Sequence, residues 1–354
     1  MKTVSRGILI AIFVVLTGLL FAVGQGAPDI FWDYYRQFSQ WILGKLSFVT
    51  GFFSFALWEW IVLLLLLWMV YTLVQDLRNG HFLSWIAGVG VVLSAGAFCF
   101  VAFWGLGHFG PPITDSMDLE VREYTVEELE EAAWYYLERA NEVSYNVSRN
   151  ADGVATYSDF ADLAVLARDG FDNLQEAYPF LGTPNATVKK LTAADVFSYA
   201  GTTGIFVCLT GESCVNPQTY PVSIPFTMCH ELAHRLGVTA EDEANFIGFL
   251  ASSANPDPEY QYSAYYSAFI YTYNALYKAD ATKGAALWSA ASDGLKADCI
   301  AASAHYEPYE GKVQEVTEQV NNTYLQTFNQ ESGVQSYGEV TDQLIAYFQK
   351  NEKI

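Results

Sequence analysis

The sequence predicts a mainly α-helical protein: an N-terminal module of three transmembrane helices, then a mostly helical domain with a small β-sheet. Three observations predict this. Nearly all the long hydrophobic runs of the 354 residues fall within the first 106. Helical periodicity dominates the remainder, with apolar residues recurring every three or four positions. A single short apolar stretch, 204–209, breaks that pattern and is followed by turn-forming residues.

The membrane module comes first, at 1–106, with spans over about 7–23, 58–74 and 84–106. The first is just long enough for a hydrocarbon core, and the second holds the unbroken run Leu63-Leu64-Leu65-Leu66-Leu67. A cleaved signal peptide is the alternative for the first run, with Lys2 and Arg6 as its basic start and Ala22-Val23-Gly24 as a small-residue site. Lys2, Arg6 and Arg78 flank the spans on the side expected to face the cytoplasm. Residues 25–57 then form an external connection, although Arg36 and Lys45 work against the bias. With three spans, everything after Gly107 is expected outside: a multi-pass cell-membrane protein with an extracytoplasmic domain over 107–354.

The formal net charge of −21 excludes nucleic acid as a partner, since phosphate binding needs clustered Lys and Arg. It argues equally against docking of the C-terminal domain onto anionic lipid. The lipid bilayer, through the three spans, is one expected partner. Cys208, Cys214, Cys229 and Cys299 lie in the domain; a Cys208–Cys214 bridge across a short loop and free buried thiols are both compatible with their spacing.

Gly110-Pro111-Pro112 marks the start of the domain. Thr125 and Glu128 have capping-box spacing at the start of a helix. A second helix is expected over about 158–178, with Phe160, Leu163, Leu166 and Phe171 on one face. Residues 204–209 read as a strand, an edge for a bound peptide or a core strand, with a turn at 210–213. Helix returns at Phe226, with Pro225 near its start. The tyrosine-rich stretch 260–277 reads as a core helix.

The chemistry lies in His230-Glu231-Leu232-Ala233-His234. His230 and His234, four apart on a helix, share one face and suit two ligand positions on Zn2+. Glu231 is placed to serve as general base on a zinc-bound water. Cys229 points about 100° away from His230 around the helix and is expected to be structural. A catalytic zinc takes a third protein ligand. Gly237 ends the helix, and Thr239 can cap the next one. Glu241 is favoured as the third ligand, because Asn245 shares its face and small Ala244 and Gly248 permit close approach. Glu243, on the face of Ile247 and Leu250, is the alternative. Asn245 is a candidate for orienting a ligand histidine, and Asp242 for capping.

The string Glu241-x-Glu243-Ala244-Asn245 after this motif resembles the glutamate-ligand zincins, the gluzincins. More narrowly, the chain resembles an uncharacterised bacterial membrane family, domain of unknown function 3810. Asp242 to Phe246, Tyr324-Leu325 and Gly333-Val334-Gln335-Ser336-Tyr337 carry that similarity. The resemblance implies a zincin-like metallopeptidase domain and supplies no substrate. The gap from His234 to Glu241 is far shorter than in thermolysin-like enzymes, and Ala240 stands where histidine-ligand zincins place their third ligand.

Tyr337, His305 and Tyr324 are candidate donors to the oxyanion of such a reaction. The expected function is therefore a membrane-anchored zinc metalloendopeptidase acting on extracytoplasmic or membrane-proximal proteins. The alternative is a catalytically silent metal-binding sensory domain on a membrane anchor. Three spans are few for cleavage within the bilayer, and the motif is expected well outside them.

Overall fold

A computed structural model describes residues 2–27, 29–327 and 337–351. The protein is mainly α, with a single three-stranded sheet among the described residues. Three helices are long and apolar enough to cross a membrane: α1 (Lys2–Gly26), α3 (Leu57–Arg78) and α4 (Phe82–Phe103). Between the first two lies α2 (Asp29–Thr50).

α1 and α4 run side by side in the same direction. Arg6 donates to the Ser84 hydroxyl at 2.8 Å near their starts, Gly90 leaves room for Ile10 midway, and Gly24 for Leu106 near their ends. α3 and α4 form a hairpin whose tight turn uses Gly80 at φ +71°. Gly26, Leu57 and Phe103 therefore end on one side, where the rest of the chain folds. The third apolar helix stops at Phe103, short of the expected Leu106. Trp104 leaves helical geometry, and Gly105–Phe109 continue as a 3-10 turn.

Residues 29–50, within the stretch expected to connect the first two spans externally, form a docked helix. Its Trp32, Tyr35, Ser39, Leu43, Ser47 and Thr50 are buried. They recur every three or four residues, so one face of α2 packs into the protein. Ser39 donates to the Phe103 carbonyl at 2.7 Å, and Gln40 donates to that of Leu236 at 2.9 Å. Gly211 sits so tightly on α2 that a Cβ would lie 2.6 Å from the Ser47 nitrogen.

The remaining helices form the domain core. α5 (Val126–Val143) begins with the Thr125–Glu128 capping box, as its sequence predicts. α6 (Phe160–Leu174) is shorter than the predicted 158–178. The sheet has the order β1 (Lys189–Lys190), β3 (Glu212–Val215), β2 (Gly204–Val207), with β1 parallel and β2 antiparallel to the central strand. α7 (Ala194–Tyr199) lies between β1 and β2 in the chain. The reversal falls at 208–211, two residues earlier than expected, so Glu212 and Ser213 belong to β3. Cys208 and Cys214 are not bridged, and all five cysteines are free.

After the sheet come α8 (Ile224–Arg235), α9 (Glu241–Ala254), α10 (Pro258–Ala279), α11 (Ala281–Ala290), α12 (Asp293–Tyr306), α13 (Lys312–Thr327) and α14 (Tyr337–Asn351). α10 is the tyrosine-rich core helix, with Tyr260 and Tyr262 fully buried. Phe171, Met228, Phe246, Tyr260 and Leu344 join α6, α8, α9, α10 and α14 in one core. Each such side chain contributes about 1.5–3 kcal/mol on burial.

One buried ion pair ties the sheet to the membrane-length helices. Lys189 Nζ lies 2.6 Å from Glu212 Oε1, with side-chain exposures of 6% and 0%. Glu212 also accepts from the Leu57 and Trp58 amides at 2.8 and 2.9 Å, satisfying two open donors at the start of α3. Lys189 donates to the Thr50 carbonyl at 2.8 Å.

Candidate metal centre

α8 carries the histidines, and its own sequence explains its course. Pro225 suits the first turn, where its missing N–H costs nothing. Gly237, at φ +89°, takes the left-handed conformation that ends the helix. The chain then returns so that the Val238 carbonyl lies 2.7 Å from His234 Nδ1. A carbonyl only accepts, so Nδ1 carries a proton, and Nε2 is the nitrogen that can turn to an ion.

α9 follows at once and crosses α8 closely. A Cβ on Gly248 would lie 3.2 Å from the His230 nitrogen, so the absent side chain permits the approach inferred from the small residues. The expected cap at Thr239 is not formed: Ala240 is the N-cap and makes no side-chain cap bond, because buried Thr239 packs against Gly107. Asp242 lies in the first turn of α9, where its negative charge suits the helix N-terminus. It is buried and accepts from Gln343 at 2.6 Å.

This crossing brings His230, His234 and Glu241 together, with one ligand atom from each within 4.8 Å of the others. His230 Nε2 lies 3.4 Å from Glu241 Oε2, and His234 Nε2 lies 3.6 Å from Glu241 Oε1. Ligands about 2.0–2.1 Å from a tetrahedral zinc are separated by about 3.3 Å, so the spacing fits such an ion. The imidazole rings are 4.6 Å apart and nearly perpendicular.

Glu243 is not in this group. It points to the start of the domain and accepts from the Ile113 amide at 2.5 Å. Asn245 is buried beside His230 and favours its protonated form, but His230 Nδ1 makes no full hydrogen bond.

The surroundings favour charge on some of these groups and oppose it on others. Burial and the neighbouring His234 push the His230 ring down. Burial also opposes charge on His234, but Glu241 overrides it and pushes that ring up to about 9. Burial works against the Glu241 carboxylate too, yet the histidines hold it well below the ordinary range.

Glu231 lies on the sheet side of α8 and is 4% exposed. Burial pushes its carboxyl up to about 8, and its Oε2 has no hydrogen-bond partner. The Glu231 carbonyl accepts from Ser213 of β3 at 2.7 Å. A Cβ on Gly204 would fall 2.4 Å from Glu231 Oε1, so this glycine makes room for the carboxylate. β2 is an edge strand with Gly204 at its start, as one of the two readings of this segment has it.

The oxyanion-donor candidates are placed differently. Tyr324, on α13, lies with its hydroxyl 3.0 Å from His108 Nε2. Burial pushes the phenol up, and Glu241 acts on it in the same direction. His305 joins the Gln218 carbonyl at 2.7 Å and packs on Tyr220, so it serves the α12 region instead. Tyr337 starts α14, but its side chain and residues 328–336 lie outside the described residues. Buried Cys229 approaches the Ala167 carbonyl and is held in the core, its thiol pushed up to about 12 by burial.

Trp104 and His108 were missed from sequence. The Trp104 ring lies 5.4 Å from that of His234 and 5.0 Å from that of Phe206. His108 is buried, and burial pushes it down to about 4 although Glu241 acts against this. The signal was present, as an aromatic and a histidine directly beyond an apolar run, but a span drawn to residue 106 crosses it. The motif was expected well outside the spans; it instead lies against the residue that follows the third apolar helix.

No curated protein and no solved structure matches the chain. The family profile described as "Protein of unknown function (DUF3810)" matches residues 34–345, and the chain belongs to that family.

Proposed function

We propose that this protein is a membrane-anchored, zinc-dependent endopeptidase of gluzincin type. The observation that carries the reading is the convergence of His230, His234 and Glu241 at ligand spacing, with buried Glu231 beside them. His230, His234 and Glu241 would hold the ion, through two imidazole nitrogens and one carboxylate. When bound, zinc supplies Lewis acidity and lowers the pKa of a coordinated water toward neutrality.

The chain's own residues supply the rest. Glu231 accepts a proton on its unpartnered oxygen and returns it to the leaving amine. Val238 fixes the tautomer of His234. The free edge of β2 offers backbone groups for an extended peptide. Tyr324, held by His108, is the described candidate best placed to donate to the developing oxyanion. α1, α3 and α4 anchor the enzyme, and the basic residues flanking them favour an extracytoplasmic domain.

The test uses the full chain in lipid nanodiscs. The unmutated protein and Glu231→Gln should both retain zinc, while only the former cleaves a peptide library. Equal cleavage by the two would sink the proposal.

A further inference from the structure

The buried face of α2 is only half of that helix. Ile30, Tyr34, Phe38, Trp41 and Phe48 are 42–69% exposed. At 100° per residue they fall within about 80° of one another, opposite the buried Trp32, Ser39 and Leu43. Phe52, 75% exposed just past the helix end, continues the stripe. Exposed Lys45 lies on the same face, where its long stem can carry the ammonium out to polar surroundings. Among the described residues, a helix about 33 Å long thus shows a largely uncovered aromatic surface, with the Phe103 ring 6.5 Å from that of Phe38 at its edge.

Its connections say what covers this surface. α2 follows the end of α1 and leads, through 51–56, into the start of α3. Ser39 at its middle bonds to the Phe103 carbonyl, the last residue of α4. α2 therefore lies across the common ends of the three helices long enough to cross a membrane. Those ends mark the boundary between hydrocarbon and water, where Trp and Tyr are favoured.

We propose that α2 is an in-plane interfacial helix, its Tyr34–Phe38–Trp41–Phe48 stripe seated in the lipid surface. The attraction is to the bilayer's apolar boundary and not to anionic headgroups, since α2 carries Asp29 and Asp33 against Arg36 and Lys45. Its opposite face holds α8 through the Gln40–Leu236 bond. The histidine cluster then stands about one helix diameter, ~10 Å, above the lipid. Resting on the peptidase reading above, this narrows the substrate to polypeptide segments whose scissile bond lies close to a bilayer surface.

The test is independent of activity. The photoreactive residue p-benzoylphenylalanine replaces Phe38, Trp41 or Phe48 in the full chain, in nanodiscs of phosphatidylcholine and phosphatidylglycerol. Tyr145, 80% exposed in the domain, is the control position. Lipid adducts at the three α2 positions and none at 145 are expected by mass spectrometry. No lipid adduct on α2, or crosslinks there to a second copy of the chain, would overturn the proposal. A second measurement needs no unnatural residue. The fluorescence lost on Trp41→Phe should be a component strongly quenched by lipids brominated high on their acyl chains; an unquenched component contradicts it.

Discussion

Glu241 and Glu243 stand two residues apart, yet their surroundings give them different work. Glu241 opens α9 and faces both histidines, whereas Glu243 turns back to the Ile113 amide. Glu241→Ala should therefore lose zinc on dialysis, while Glu243→Gln keeps it, as elemental analysis of the full chain will read. The reverse outcome would transfer the ligand role to Glu243. Gly204 offers a second test at this scale. A methyl group there meets the Glu231 carboxylate, so Gly204→Ala should cut kcat about tenfold or more with zinc retained, up to the ~10²–10⁴-fold that a general base contributes. Unchanged kcat would show that the glycine does not position Glu231.

At the scale of elements, the ion pair between β1 and β3 matters because it reaches the first turn of α3. Removing one partner of a buried pair leaves the other charge unpaired, at a cost of about 3–5 kcal/mol. Glu212→Ala also strips the Leu57 and Trp58 amides of their acceptor. A clear fall in the thermal midpoint of the detergent-solubilised chain is expected, larger than for the exposed pair partner Glu142→Ala. Equal shifts would remove the pair from this role. The elements also show what was readable in advance. The capping box at Thr125, the histidine helix with Pro225 and the glycine stop at 237 depend on neighbours in sequence, and each was legible. The cap at Thr239 failed because a tertiary contact with Gly107 claims that residue. α2 was missed because its two apolar faces blur a single-stripe pattern, and its partners are up to about 200 residues away in the chain.

Across the whole molecule, the three apolar helices and the site are not separable modules. Trp104 stands against His234, α2 carries α8, and Glu212 caps α3. A boundary at residue 107 follows the hydropathy but cuts through these contacts. Residues 107–354 made alone should aggregate or bind zinc at least tenfold more weakly than the full chain, a loss comparable to that from removing the groups that orient metal ligands. Full zinc affinity in the fragment would restore the two-module picture. The histidine pair was legible because four-residue spacing on a helix is a local rule. The third ligand was narrowed but left open, since only the crossing angle of α8 and α9 separates Glu241 from Glu243. A zinc centre made of His230, His234 and Glu241 is best tested by X-ray absorption of the zinc-loaded full chain. One zinc per chain is expected, with nitrogen and oxygen ligands at about 2.0–2.1 Å and a signal lost in both His230→Ala and Glu241→Ala. Absence of bound zinc, or sulfur in its coordination sphere, would contradict it.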